Sequence, residues 1–147
     1  GNFAGEFWLG LDKIHRLTAS RLNVLRVDLE TFENETTYKN YESFSVGNET
    51  EAYTLNVSNY NDDSLSYHNG FKFSTYDNDN DIDDNRNCAA VFQGGWWYRR
   101  CLASNLNGHY IMGGSHSKAA ATGVHWLAFK GKHYSLKCTE MKVRLKD

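Results

Sequence analysis

The sequence predicts an α+β fold: an antiparallel sheet beside a large loop-rich lobe. Three observations carry this reading. Apolar and polar residues alternate over several short stretches, one N-terminal stretch has helical spacing, and residues 68–107 are dominated by Asn, Asp and Gly. In chain order, Glu6–Leu17 (EFWLGLDKIHRL) puts Phe7, Leu11 and Ile14, with Trp8 at the margin, on one helical stripe. Gly10 weakens that helix, and Thr18–Ala19–Ser20 ends its pattern. Asn23–Phe32 alternates Val24, Arg26, Asp28 and Glu30 against Leu25, Val27 and Leu29, which predicts a half-buried strand. Thr37–Val46 alternates too, with Tyr41, Ser43 and Ser45 opposite Phe44 and Val46. Ala52–Val57 is a third strand candidate, and Ser58–Asp63 is a polar, turn-rich stretch. From His68 to Asn107 only short apolar clusters occur, at Ala89–Phe92 and Trp96–Tyr98. An irregular region of that length in a compact domain is usually functional or clamped. Tyr134–Leu145 alternates again and puts Met141, Val143 and Leu145 on one face of a last strand.

The chain has 147 residues, 40% hydrophobic and 23% charged, which fits one domain with a core and argues against disorder. No apolar run approaches the roughly 18–20 residues that cross a bilayer, so no membrane insertion is expected. The opening GNFAGEFWLG has no basic start followed by an apolar stretch and does not read as a signal peptide. The net charge of −2 hides an uneven split: residues 1–87 carry 7 basic and 16 acidic side chains, residues 88–147 carry 9 and 2. Apart from Arg99–Arg100, the later basic residues are scattered singly, whereas a nucleic-acid face needs a clustered stripe. The expectation is that the two halves pack and neutralise each other, with no nucleic-acid partner.

Cys88 and Cys101 lie 13 residues apart and flank an aromatic segment. They are either bridged or two buried thiols. Cys138 is the odd one, free or paired with a segment outside this sequence. No CxxC or Cys/His spacing of a zinc site is present. Sequons occur at Asn34, Asn48 and Asn56, a weak pointer to secretion in a chain this rich in asparagine.

Five of the ten aspartates lie in Asp77–Asn85 (DNDNDIDDN). Carboxylates this dense repel unless water screens them or a cation binds them. Hard oxygen donors at a two-residue period suit calcium, which takes about 6–8 oxygens. The EF-hand register fails, because with Asp77 at its first position the glycine falls on Ile82 and the bidentate glutamate on Cys88. A calcium loop of another type and a solvated acidic loop both remain. Gly94–Gly95–Trp96–Trp97–Tyr98 similarly allows core packing or a ligand wall. Ser104–Gly108 reads as a turn, in which asparagine side chains often close on themselves. The six histidines (His15, His68, His109, His116, His125, His133) form no HExxH pattern, and there is no GxSxG elbow or phosphate-binding glycine loop, so an enzyme is not expected.

The stretches GEFWLGLDKIH, LRVDLETF, YESFSVG, SLSYHNGFKFSTYDNDND, NCAAVF, GGWWY, SNLNGHY and YSLKCTEMKVRL occur in that order from Gly5 to Leu145. Together they resemble the fibrinogen-related C-terminal globular domain of fibrinogen chains, ficolins, tachylectins, tenascins and angiopoietins. The family pattern begins earlier, with a small subdomain carrying its own disulfide. The resemblance therefore implies the central and C-terminal subdomains over residues 1–147, with the N-terminal subdomain absent. It implies a twisted antiparallel sheet with short helices and a loop-rich calcium- and ligand-binding lobe.

By the same resemblance, Asp79 and Asp81 bind calcium through side chains, and Asp83 and Asn85 through backbone carbonyls. The loop is one residue longer than in many relatives, which makes Arg86 the alternative last carbonyl, and Asp77 stands behind the ligands. Cys88 and Cys101 are the bridged pair. A ligand pocket beside the loop is shaped by a cis Arg100–Cys101 peptide, with Phe92 as the aromatic wall and Leu102 after the second cysteine. Two positions that are tyrosine in acetyl-binding members fall at Lys118 and Lys132, where lysines favour anionic ligands. The function implied is a secreted, calcium-dependent, lectin-like pattern-recognition domain for acetylated or anionic glycans on microbial surfaces, oligomeric in the full-length protein. The alternative is a matrix- or receptor-binding module of tenascin or angiopoietin type.

Overall fold

The computed structural model describes residues 4–58 and 64–147. From residue 59 on, the turn-rich Ser58–Asp63 stretch lies outside the described residues.

Helix α1 (Leu11–Ala19) starts later than the periodicity predicts, because Gly10 adopts φ 95° and serves as its first cap. Phe7 and Trp8 precede the helix, and Leu11, Ile14 and Thr18 form its inner stripe. The helix runs through Thr18, whose hydroxyl donates to the Ile14 carbonyl at 2.8 Å and accepts from the Val46 N–H at 3.1 Å. His15 Nδ1 donates to the Val46 carbonyl at 2.7 Å. Two helix side chains thus satisfy backbone groups at the end of a strand, which would otherwise be costly to bury.

Strand β1 (Asn23–Glu30) alternates as predicted: Leu25, Val27 and Leu29 are buried. It is the central strand of an antiparallel sheet, between β2 (Thr36–Tyr41) and β7 (Cys138–Leu145). The predicted Thr37–Val46 strand is broken at Glu42–Ser43. After the break β3 (Phe44–Val46) leaves β1 and pairs with β4 (Leu55–Val57). The break shifts the alternation, so Tyr41 is buried on the same side as Phe44 and Val46 rather than opposite them. Residues 52 and 53 are not in a strand: Ala52 and Tyr53 take left-handed backbone after a 3-10 turn at Glu49–Glu51.

The β1–β7 register places Met141 opposite Val27 and Val143 opposite Leu25, so the predicted apolar face of β7 continues that of β1. Met141 packs on the core, while Val143 and Leu145 stay exposed. The outer face is polar, with Asp28 held by Arg26 and Lys142, both at 2.9 Å. The uneven charge split resolves as expected, since Lys130–Glu35, Lys137–Glu30, Lys142–Asp28 and Lys146–Glu42 each join the basic half to the acidic half.

The remaining elements are short: α2 (Cys88–Phe92), β5 (Ser104–Asn105), β6 (His125–Trp126) and α3 (Leu127–Lys130), with β5 and β6 paired. Trp96, Trp97 and Tyr98 are all 0% exposed. Trp96 and Trp97 meet ring to ring at 5.0 Å, and Ser74 bridges Trp96 through paired backbone hydrogen bonds. Core packing therefore accounts for this aromatic segment, the first of the two readings that its spacing left open. Rings that bury roughly 150–250 Å² each supply the packing that a region poor in regular structure otherwise lacks.

Candidate functional site

The acidic loop winds as a cascade of aspartate turns. The Asp81 N–H donates to Asp79 Oδ1 (3.2 Å), the Asp83 N–H to Asp81 Oδ1 (2.8 Å) and the Asn85 N–H to Asp83 Oδ1 (3.2 Å). Alternation of Asp with other residues makes this local, since a carboxylate readily accepts from the amide two residues on. The loop is fastened at both sides. Asn80 donates to the Ser74 hydroxyl and the Phe73 carbonyl, both at 2.9 Å, and the Ile82 N–H donates to the Arg99 carbonyl at 3.1 Å.

Asp81 Oδ2 accepts from the Cys88 N–H at 2.8 Å, and the Asn87 side chain caps α2 through the Ala90 N–H at 2.9 Å. Partial burial holds the Asp81 carboxyl above its ordinary range, and the Asp79 carboxylate pushes the same way, against the amides of Asp83 and Cys88. Asp83 behaves oppositely. Arg86 grips its Oδ2 through Nε (2.9 Å) and a terminal nitrogen (2.7 Å), and this guanidinium holds the carboxyl below the usual range. Two neighbouring carboxylates, Asp79 and Asp81, thus face each other without a cationic partner among the described ion pairs, while Asp83 already has one. Asp79 and Asp81 offer the hard donors a divalent cation takes. The Asp83 carbonyl accepts from the Arg86 N–H at 3.3 Å and retains a second lone pair, and Asn85 is exposed.

Cys88 and Cys101 are bridged, with Cα atoms 5.5 Å apart. Asp83 and the two sulfurs lie within 4.8 Å of one another, but sulfurs joined in a disulfide offer no thiolate, so this trio is not a metal set. The Arg100–Cys101 peptide is cis. Its surroundings hold it closely. Tyr67 donates its hydroxyl to the Arg100 carbonyl (3.2 Å), the Arg99 N–H donates to the Cys101 carbonyl (2.8 Å), and the Arg99 guanidinium lies over the rings of Tyr67 and Phe71 at 4.8 and 5.1 Å.

His68 is fully buried behind this segment. Its Nδ1 donates to the Trp97 carbonyl at 2.8 Å, while Nε2 accepts from the N–H groups of Ala103 (3.1 Å) and Ser104 (3.3 Å). One neutral tautomer meets all three bonds, and burial lowers its pKa to about 4. Asn105, read from the sequence as a turn residue, instead ties three segments together. It donates to the carbonyls of Phe92 (2.9 Å) and Ala121 (3.2 Å) and accepts from the Tyr98 hydroxyl (2.8 Å). The turn itself is present, through the Gly108 N–H and the Asn105 carbonyl at 3.0 Å.

Phe92 and Leu102 are half-buried at the edge of the core, and Arg86 lies over the Phe92 ring at 5.7 Å. Lys118 and Lys132 are exposed, and the Lys132 carbonyl accepts from the Ala121 N–H at 2.7 Å, next to the Asn105 tie. Sequence reasoning missed the ties made by His68 and Asn105, and it weighed Arg86 only for its carbonyl, not for the side-chain grip on Asp83. The signal of the two ties is contact across 13 to 36 positions, which no local pattern carries. Two hollows lie elsewhere. One of about 740 Å³ opens between α1 and β3–β4, and one of about 540 Å³ borders the Ala89–Ala90 side of α2; neither is lined by Phe92 or Leu102.

The chain is 51% identical over 98% of its length to Ryncolin-4 of Cerberus rynchops, covering 42% of that protein. It is 50% identical over 98% of its length to Microfibril-associated glycoprotein 4 of Homo sapiens, covering 59% of it. It thus spans about half the length of the curated relatives it matches. Among solved structures, the fibrinogen-like globe domain of human ANGPTL6 is 39% identical with a TM-score of 0.95, over 100% of this chain and 67% of that one. A lamprey fibrin D-dimer complexed with the peptide Gly-His-Arg-Pro-amide is 35% identical with a TM-score of 0.88, over 97% of this chain and 51% of that one. The family described as fibrinogen beta and gamma chains, C-terminal globular domain, a family of non-enzymatic binding modules, matches residues 1–146, and the chain belongs to it.

Proposed function

We propose that this domain is an extracellular, calcium-dependent recognition module of lectin type, taking acetylated or anionic glycans of microbial surfaces in innate immunity. The observation that carries the reading is the join between acidic loop and disulfide: Asp81 is hydrogen-bonded to Cys88, which opens the short helix that Phe92 closes and whose bridge partner Cys101 immediately precedes Leu102. Calcium held by Asp79 and Asp81, with the carbonyls of Asp83 and Asn85 or Arg86, would neutralise the paired carboxylates and fix the Arg100–Leu102 backbone. Phe92 and Leu102 would meet the apolar part of a ligand, and Arg100, Lys118 and Lys132 would favour an anionic one. The disulfide supports an oxidising compartment. Single sugars bind weakly, so useful avidity would come from several copies in the full-length protein.

A second reading, a matrix- or receptor-binding module, is supported by the peptide held in the lamprey fibrin relative and by the close likeness to an angiopoietin-like globe. A glycan and microbial-polymer array, probed with and without EDTA, separates the two. Calcium-dependent glycan signals are expected; their absence would favour the protein-binding module.

A further inference from the structure

The histidines form no metal-binding pattern along the chain, yet two of them meet in space. Ser115 and Tyr134 make an isolated antiparallel bridge, and the next residue pair is His116 opposite His133, whose N–H and carbonyl bond at 3.0 Å. Residues directly opposite in an antiparallel pair project to the same face, with Cβ atoms about 4.5–5.5 Å apart. The two imidazole centroids are accordingly 6.0 Å apart, with their planes at 60°.

The ring nitrogens of His116 are the unusual feature. Nδ1 and Nε2 are both shielded from solvent, and neither has a hydrogen-bond partner. A neutral imidazole carries one donor and one acceptor, and burying both unmatched is costly unless something fills the gap. His125, 2% exposed, has an unpaired Nδ1 as well. Burial depresses its pKa to about 4, with a smaller electrostatic contribution from His116, and keeps His125 neutral.

We propose that His116 and His133 form a transition-metal site, each giving one imidazole nitrogen to a zinc ion whose remaining positions are taken by water. Imidazole suits zinc, copper and nickel, whereas calcium demands oxygen, so this site is chemically distinct from the acidic loop. Zn–N bonds of about 2.0–2.1 Å put two imidazole centroids roughly 5 Å apart around a tetrahedral ion. The exposed His133 ring can supply the small approach required and gives the ion its route in. Lys118 and Lys132, two positions and one position away in sequence, are exposed, and salt screens their repulsion. Zinc would pin the loop carrying Lys118 to the loop carrying Lys132. The proposal does not depend on the glycan reading.

Calorimetric titration of zinc chloride into the whole chain, in calcium-containing buffer at neutral pH, tests it. One zinc per chain is expected, with affinity reduced roughly tenfold or more, about 1.4 kcal/mol, in His133→Ala and in His116→Gln and unchanged in Asp84→Ala, an exposed acidic-loop residue outside both proposed ligand sets. His133 is exposed, so its replacement leaves a folded protein, checked by its melting curve. No uptake up to roughly 1 mM zinc, a Kd bound of about −4 kcal/mol, would show that His116 is satisfied by water and overturn the site. Uptake that survives His133→Ala, or that disappears in Asp84→Ala, would overturn it equally.

Discussion

Asp81 Oδ2 accepts the Cys88 backbone N–H at 2.8 Å, so one carboxylate joins the acidic loop to the first residue of α2 and to the disulfide. Calcium should therefore act on the stability of the whole lobe. We expect EDTA to lower the melting temperature and calcium to restore it. Asp81→Ala should abolish that response and cost about 1–3 kcal/mol in urea unfolding by orphaning the buried amide. Replacement of exposed Asp84 by Ala should leave both unchanged. Identical melting with and without calcium would end the calcium proposal.

Reduction of the Cys88–Cys101 bridge frees a 13-residue loop. The chain-entropy account puts the loss at roughly 3 kcal/mol. Unfolding in urea with and without a strong reductant measures it, and the midpoint should fall. A midpoint that does not move would mean that Asp81, His68 and Asn105 hold the segment without the bridge.

Asn105→Ala removes two donors and one acceptor at once, leaving the Phe92 and Ala121 carbonyls and the Tyr98 hydroxyl without their partner. We expect a loss of about 3 kcal/mol or more, since each buried group left unmatched costs about 1–3 kcal/mol. Asn105→Asp keeps the acceptor and loses both donors, so the denaturant midpoints of both variants should fall below that of the wild type. Equal midpoints for all three chains would refute the tie.

His68 and His125 are buried, and burial lowers the pKa of each to about 4. In the unfolded chain each ring titrates near about 6.5, so between these values the unfolded state binds more protons than the folded one. Stability is then complete above about pH 6.5 and falls as the pH drops toward 4, by roughly 1.4 kcal/mol per pH unit for each ring. Unfolding free energies at pH 7.5, 6 and 5 should trace this slope, and His125→Gln should halve it. A flat profile across that interval would contradict the buried neutral rings.

Much of the fold was legible because its strands obey a period of two. Leu25, Val27 and Leu29 announced β1, and Met141 with Val143 announced the strand beside it. The resemblance carried the disulfide and the cis Arg100–Cys101 peptide. The misreadings have local causes. Gly10 reads as a helix weakener by propensity but caps α1 through its positive φ, and the bend at Glu42–Ser43 moved Tyr41 to the buried side. Trp96 and Trp97 could not be assigned to core or ligand by spacing alone. Gly94 shows why the segment needs its glycines: a Cβ there would lie 2.7 Å from Asn105 Oδ1 and 2.8 Å from the Tyr98 hydroxyl. The ties made by His68 and Asn105 were invisible because distant partners leave no periodicity.

The antiparallel match of Asn23–Glu30 with Cys138–Leu145 has a temporal consequence. The partners are more than a hundred residues apart, so on the ribosome the centre of the sheet waits until Cys138–Leu145 has been translated. Until then Leu25, Val27 and Leu29 belong to a strand with one open flank, a surface that nascent chains must keep from pairing with each other. Removing only the final ten residues should therefore leave a product that accumulates in inclusion bodies rather than a shortened, working domain.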